Sequence, residues 1–479
     1  MSHGIDRRWL ALLIVCLGTL MIVLDATIVN VALPSIREDL GFSQTSLAWV
    51  VNAYLLTFGG FLLLGGRLGD LFGHRRLFLI GIVAFTLASL ACGLANSQGF
   101  LIAARAVQGV GGAVVSAVAL SIVMTLFTET GERAKAMGVY GFVASGGGTV
   151  GVLAGGVLTD TLSWHWIFLV NLPIGVAVYA LCAALLPAGE GAAGSRRVDV
   201  AGAVTVTASL MLAVYAIVNG NQYGWTSGRT LGFLAGGVAL LAVFLAIEAR
   251  VSAPLVPLGL FRLRNVSSAN AAAVLLAGSM FAWFFLSAQY LQFVLGYSPL
   301  EVGLGFLPAS LIMGAFSLGL SAKLVMRFGI RPPLVAGMLF MAAGLLLFAR
   351  VPVDGNFIVD VLPGTVLLGI GAGMGFNPLL LAAMSDVEPS ESGLASGVVN
   401  TAFMMGGALG LAVLASLAAS RTDHLLSTGD GRLAALTGGY HASFLVGALF
   451  ALAGAALGGS LIRVERPGEM HAESEPAAP

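Results

Sequence analysis

Asp25 and Arg105 are the ionisable side chains that sit deep inside long apolar stretches of this chain. An ionised group surrounded by hydrocarbon is costly, and such groups mark ion or substrate paths. The chemistry open to this pair is reversible proton binding. Burial favours the neutral form of a carboxyl group, while a neighbouring guanidinium favours the ionised form. Opening the site to one side and then the other would load and release a proton. A static ion pair that locks two helices is the alternative. Gln108, one helical turn beyond Arg105, is placed to bridge the two charges. Further polar groups lie within or at the edge of apolar stretches: Asn30, Tyr54, Asn377 and Asn400, with Gln289 and Gln292 next to the aromatics Trp283, Phe284 and Phe285. Aromatic and amide groups in that mix suit an amphipathic ligand, although each alone equally serves a helix–helix hydrogen bond.

The elements that must position these residues are apolar helices. Of 479 residues, 58% are hydrophobic and 10% charged, and mean hydropathy is +0.96. A soluble domain carries about 25% charged residues, so an ordinary globular core is excluded. Fourteen stretches are long enough to cross a bilayer, a crossing needing about 20 residues: 9–31, 45–65, 77–95, 99–121, 136–158, 166–186, 199–219, 230–249, 267–291, 302–322, 332–350, 360–384, 394–419 and 441–462. An all-α polytopic membrane protein is expected. The first stretch is too long for a signal-peptide core and is read as a span. A net charge of zero argues against a nucleic-acid partner. Cys16, Cys92 and Cys182 are too widely spaced for a disulfide framework or a metal site, and the six histidines lack ligand spacing. No P-loop, GxSxG, HExxH or CxxC pattern occurs, so neither an enzyme, a metal centre nor an organic cofactor is expected.

Charge orients the stretches. Seventeen of the 23 Lys and Arg residues fall on the side of both termini and five on the other, with Arg105 inside a stretch. An excess of Lys and Arg marks the cytoplasmic side, so both termini are expected there. The acidic segment around Asp386, Glu388 and Glu391 breaks the pattern. With this orientation Asp25 and Arg105 each lie roughly 9 Å from the outer ends of their stretches at the helical rise, which puts them at similar depth and predicts coupling, directly or through Gln108.

Phe72-Gly73-His74-Arg75 follows the second stretch, and Phe328-Gly329-Ile330-Arg331 follows the tenth, 256 residues later. This repeat predicts two parallel six-helix halves, with stretches 7 and 8 inserted between them and a site at the shared midplane. The expected units are residues 1–190, an inserted pair at 191–264, a second bundle at 265–465, and a disordered tail at 466–479. Shifted by the same interval, Asp25 and Arg105 become Phe281 and Val361, so ion coupling is expected in the first half. The loop Gly66 to Arg76, with Gly66, Asp70, Gly73, Arg75 and Arg76, reads as an inner-face turn, either a latch through Asp70 or a topology signal. Gly147, Gly151 and Gly155 at i, i+4 and i+8, widened by Gly156, form a smooth stripe for close helix contact. That stripe is expected to slide or hinge against the other half.

Several motifs resemble the fourteen-spanner drug:proton antiporters of the major facilitator superfamily, over nearly the whole chain. Leu24-Asp25-Ala26-Thr27-Ile28-Val29-Asn30-Val31-Ala32-Leu33-Pro34 is similar to the family's first-helix motif, and Gly66 to Arg76 to its signature loop. Ala104-Arg105-Ala106-Val107-Gln108-Gly109 resembles the helix-4 motif, Gly151-Val152-Leu153-Ala154-Gly155-Gly156 the helix-5 antiporter motif, and Trp164 to Gly175 the entry to helix 6. Val152 replaces the usual proline, Leu71 a basic residue and His165 an arginine, and the tenth stretch lacks the acid that some relatives use for cationic drugs. The resemblance implies the major facilitator fold, with two six-helix bundles plus two extra helices. It further implies proton-coupled export of small drug-like compounds from a bacterial inner membrane, with Asp25 as proton carrier, Arg105 as its modulator, and the proton as coupling ion. The lipid bilayer and a small-molecule substrate are the expected partners, and a monomer is expected to suffice. Rival readings are an exporter of one metabolite or self-made antibiotic, and a membrane receptor or scaffold that transports nothing.

Overall fold

The structure is a computed structural model that describes residues 7–127, 129–185, 199–251, 254–387 and 392–462. The acids Glu388 and Glu391 and the tail at 466–479 lie outside these residues. Every regular element among the described residues is helical: α1 (Arg7–Leu40), α2 (Ala48–Phe72), α3 (His74–Gly93), α4 (Gln98–Leu126), α5 (Thr130–Thr161), α6 (Trp166–Leu169), α7 (Asn171–Leu185), α8 (Val200–Tyr223), α9 (Gly228–Glu248), α10 (Arg264–Gln289), α11 (Pro299–Ala315), α12 (Ser321–Phe328), α13 (Arg331–Phe348), α14 (Leu362–Met384), α15 (Ser392–Ser427) and α16 (Arg432–Leu461).

Twelve segments are long and apolar enough to cross a membrane, the pair α6–α7 counting as one. α5 and α11 fall outside that number. α11 has 17 residues and runs into a π-helical stretch, Phe316–Leu320, where Gly319 at φ 130° kinks the chain before α12. α5 opens on the polar turn Thr130 to Lys135 and is rich in glycine. Large apolar side chains such as Leu87, Val238 and Leu449 are more than 60% exposed. In water so many exposed apolar groups would aggregate; here they form the face that meets lipid.

Local chemistry sets the helix ends. Ser298 and Glu301 form a capping box at α11, the hydroxyl accepting from the Glu301 amide at 3.3 Å and the carboxylate from the Ser298 amide at 2.8 Å. Asp199 caps α8 and Ser227 caps α9. Gly73 and Gly329, the glycines of the repeated Phe-Gly motif, adopt φ 90° and 80° and donate to Gly69 and Val325 carbonyls at 2.9 and 2.8 Å. Only glycine takes a positive φ of this kind without strain, so a glycine ends α2 and α12 alike. The segment read as a loop from Gly66 to Arg76 is therefore almost all helix. α2 continues to Phe72, and Gly73 is the only residue between it and α3.

α1 packs against α4, α5 and α7, and α4 against α2 and α3. α10 packs against α14, α15 and α16, and α13 against α14 and α16. These two groups meet along α5–α11, α2–α15 and α1–α10, while α8 and α9 pair with each other and reach α2 and α15 through α8. Close approach rests on glycine. A Cβ at Gly410 would collide with the Gly278 backbone, where α10 and α15 touch main chain to main chain. Gly314 on α11 has open space around it. Gly410→Ala should therefore lower stability by about 1–3 kcal/mol through overpacking, while Gly314→Ala should be neutral or slightly stabilising. Thermal unfolding of both variants in detergent checks the contrast; equal midpoints would contradict it.

Candidate functional site

The site grows from four helices. Arg105 and Gln108 are three apart on α4, and Ser89 and Cys92 three apart on α3, so each pair shares a helix face. Asp25 lies midway along α1. Asn171 opens α7 directly after the break that separates it from α6. The structure brings all of them together, and Asp25, Ser89, Arg105, Gln108 and Asn171 are buried to within 1% of complete.

Arg105 Nη1 donates to Asp25 Oδ2 at 2.6 Å and to Gln108 Oε1 at 2.7 Å, and its Nε donates to the Val50 carbonyl on α2 at 3.0 Å. Asp25 Oδ1 accepts from Gln108 Nε2 at 2.7 Å and from Asn171 Nδ2 at 2.9 Å. Ser89 accepts from Gln108 and Asn171 and donates to the Phe168 carbonyl at 2.9 Å. The guanidinium also lies 4.3 Å from the centre of the Tyr54 ring and 5.6 Å from that of Phe168. Both carboxylate oxygens are thus satisfied, which is the condition under which a buried ion pair holds. Asn171 and Ser89 were not among the sequence candidates. A neutral amide or hydroxyl in an apolar helix is common, and nothing in the spacing singles these two out; the signals for Asn171 are its place in the Trp164 to Gly175 stretch and at a helix break.

Beside this network lies a cavity of about 330 Å³ shared by the two helix groups. Ile22, Val23, Ala26, Thr27 and Asn30 line it from α1, Tyr54, Leu55 and Phe58 from α2, and Gly148, Thr149 and Val152 from α5. Met280, Phe281 and Phe284 from α10, Ser310 and Met313 from α11, and Phe403 and Met404 from α15 complete most of the wall. The described lining carries no charged side chain. Methionine and phenylalanine adapt to varied apolar shapes, and Thr27, Asn30, Tyr54, Ser116, Thr149 and Ser310 supply polar points.

The other sequence candidates go elsewhere. Gln108 belongs to the ion-pair network. Gln289 is fully buried away from the cavity, with neither amide atom hydrogen-bonded. Gln292 donates to the Val31 carbonyl at 2.8 Å, tying the π-helical turn Tyr290–Val294 that follows α10 to α1. Asn400 bonds its own helix at Ser396, and half-buried Asn377 lies outside the lining. A polar residue in a helix is visible in the sequence, but the face it takes depends on packing. Gly66 lies beyond the cavity on α2, near Ala117. Arg75 Nη2 donates to the Ala183 carbonyl in the last turn of α7 at 2.6 Å, Arg76 is exposed, and the side chain of Asp70 lies outside the described ones.

The glycine stripe on α5 divides. Gly147, Gly151 and Gly155 face Leu20, Leu24 and Ile28 of α1, inside one helix group. Gly156 faces Pro299 and Leu300 of α11, and Val152 meets Gly303 there. Contact with the other group therefore runs through Val152 and Gly156 rather than through the i, i+4, i+8 stripe, because the stripe is used up in seating α1.

The sequence pattern of the Major Facilitator Superfamily matches residues 15–411. The chain belongs to that superfamily. As a member it is a membrane transporter and not an enzyme. It is 40% identical to a cephamycin export protein of Amycolatopsis lactamdurans over 96% of this chain and 94% of that protein. It is likewise 40% identical to a puromycin resistance protein of Streptomyces alboniger, over 92% and 89%. A tetracenomycin C resistance and export protein of Streptomyces glaucescens is 35% identical over 87% of this chain and 77% of that protein. The superfamily fold extends to a bacterial homologue of the human lysosomal transporter Spinster, solved inward-facing and unoccupied, at a TM-score of 0.66 and 16% identity over 95% of this chain and 97% of that one.

Removing one partner of a buried pair leaves an uncompensated charge, whereas removing both does not. Arg105→Met should therefore destabilise the protein by about 3–5 kcal/mol, and adding Asp25→Asn to it should recover part of the loss. Thermal unfolding of the single and double variants measures this; additive losses would contradict the pairing.

Proposed function

We propose that this superfamily member is a proton-coupled exporter of small amphipathic compounds that works by alternating access. The observation that carries the reading is the buried Asp25–Arg105 pair standing beside an apolar cavity shared by both helix groups. Ala26, the neighbour of Asp25, and Tyr54, which stacks on Arg105, both line that cavity. Asp25 carries the proton, and Arg105 holds the carboxylate when the proton has left. The coupling ion is the proton and no other cofactor takes part. The uncharged lining supports neutral or weakly charged amphiphiles over substrates that need a countercharge in the pocket.

The α5 and α11–α12 segments span the membrane along with the twelve others, giving fourteen crossings. Six belong to each alternating half, and α8 and α9 stand beside them. The strong Lys and Arg bias supports cytoplasmic termini in the cell's inner membrane. In that orientation the contacts among Val31, Arg37, Gln292, Phe293, Gly156 and Leu300 close the outer end. The Gly73 turn and the Arg75 tie to α7 brace the inner face. The described lining draws on both helix groups of one chain, and function as a monomer is part of this reading.

The names of the relatives favour one narrower version of this reading. Three are resistance or export proteins for a single named antibiotic, puromycin, cephamycin or tetracenomycin C, which fits a self-resistance exporter of one compound. Competition among puromycin, ethidium and Nile red in one efflux assay separates the broad from the narrow case. In energised proteoliposomes, wild-type protein should expel at least one of these only when a proton gradient is imposed, and Asp25→Asn should reduce that efflux to background. Gradient-driven efflux that survives in Asp25→Asn would overturn the assignment of the proton site.

A further inference from the structure

The cavity and the ion pair are separate environments. No charged side chain among the described lining reaches the cavity, and the guanidinium and carboxylate are sealed from it. A substrate therefore has no direct electrostatic hold on Asp25. Tyr54 belongs to both places. Its ring lines the cavity and covers the guanidinium of Arg105 at 4.3 Å. Its hydroxyl is buried and has no hydrogen-bond partner. A buried hydroxyl without a partner is unfavourable, so a small shift of the ring that carries it to an acceptor on a ligand in the cavity is favoured.

The surroundings fix Tyr54 where such a contact would be felt. Arg105 Nε donates to the carbonyl of Val50, one turn before Tyr54 on α2. On α4, a Cβ at Gly109 would press on the Tyr54 main chain, and one at Gly112 would come within 3.0 Å of the hydroxyl. The two glycines thus make the slot in which the tyrosine lies. Phe168, the other ring beside Arg105, does not line the cavity. The titratable neighbours of the pair are Tyr54 on α2 and Cys92 on α3, the latter donating to Gln108 at 3.5 Å; α7 offers Asn171, which does not titrate.

We propose that Tyr54 is a positioning residue that couples occupancy of the cavity to the charge state of Asp25, for substrates that carry a hydrogen-bond acceptor. The inference rests on the proton-coupled reading above. With a proton on Asp25 the carboxyl is neutral, the ion pair is lost, and Arg105 keeps Val50 and Gln108. When a substrate accepts a hydrogen bond from the Tyr54 hydroxyl, the ring is held against the guanidinium, whose charge then stays facing Asp25. The O–H bond of the carboxyl breaks, its electron pair stays on Asp25, and the proton is taken up by bulk water, where an indicator reads it. Linkage makes the effect mutual: a returning proton loosens Arg105, frees the ring and weakens the hold on substrate.

The test uses the full chain in detergent, weakly buffered with a pH indicator. Nile red is the probe because it is neutral, carries a carbonyl acceptor and has no group that titrates near neutrality. Wild type should release protons as it binds Nile red, and Asp25→Asn should release none. Tyr54→Phe keeps the ring and should fold normally. It should bind the dye several-fold more weakly and release less than half as many protons per dye bound. Diphenylhexatriene, an apolar probe with no acceptor, should bind wild type without proton release. Tyr54→Phe matching wild type in protons per bound dye, or diphenylhexatriene releasing as many as Nile red, would overturn the role of Tyr54. Wild type that binds no Nile red, or binds it with no proton release, would instead overturn the underlying reading.

Discussion

A carboxylate and a guanidinium are buried together in an apolar bundle, and the rest of the site answers to that constraint. Either charge alone would be prohibitively costly there. Together they still require hydrogen-bond partners, and the chain supplies them from five helices: Asp25 on α1, the Val50 carbonyl on α2, Ser89 on α3, Arg105 and Gln108 on α4, and Asn171 at the head of α7. The break between α6 and α7 belongs to this arrangement. It sets Asn171 at a helix start and brings the Phe168 carbonyl to Ser89.

Bringing five helices to one point demands small residues, and glycine supplies them where backbones cross. Gly109 and Gly112 admit α2 against α4, while Gly151 and Gly155 admit α1 against α5. In the second group Gly278 meets Gly410, and Gly337 meets Gly371 and Gly375. Without a hydrophobic drive between helices in lipid, close packing of this kind carries much of the association. The asymmetry is chemical: the first group holds the ion pair, while Phe281, the sequence counterpart of Asp25 in the second, lines the cavity. One group carries the charge chemistry, and both shape the space beside it.

The charges were legible in the sequence because an aspartate and an arginine stand out in apolar stretches, and counting back from the helix ends put them at one depth. Gln108 was legible as their neighbour by one turn. The Phe-Gly repeat was legible too, since both copies end a helix on a glycine at positive φ. What stayed hidden depends on packing. Asn171 and Ser89 are ordinary residue types whose importance comes from what they touch. Gln289, Gln292, Asn377 and Asn400 looked equivalent to Asn30 and Tyr54 until helix rotation set which of them face the cavity. Glycines and charges between Gly66 and Arg76 read as a loop, yet α2 stays helical through them because a single glycine at positive φ suffices to turn the chain.

The central claim is that Asp25 changes its protonation as substrate comes and goes. Infrared difference spectroscopy of the full chain, with wild type compared against Asp25→Asn, reads the carboxyl stretch of that one residue directly. The account predicts a protonated-carboxyl band in substrate-free protein at acid pH that is missing in Asp25→Asn and is replaced by a carboxylate band when Nile red binds. A wild-type spectrum in which Asp25 remains a carboxylate at every pH, with or without the dye, would make the pair a static lock between α1 and α4 and contradict the account.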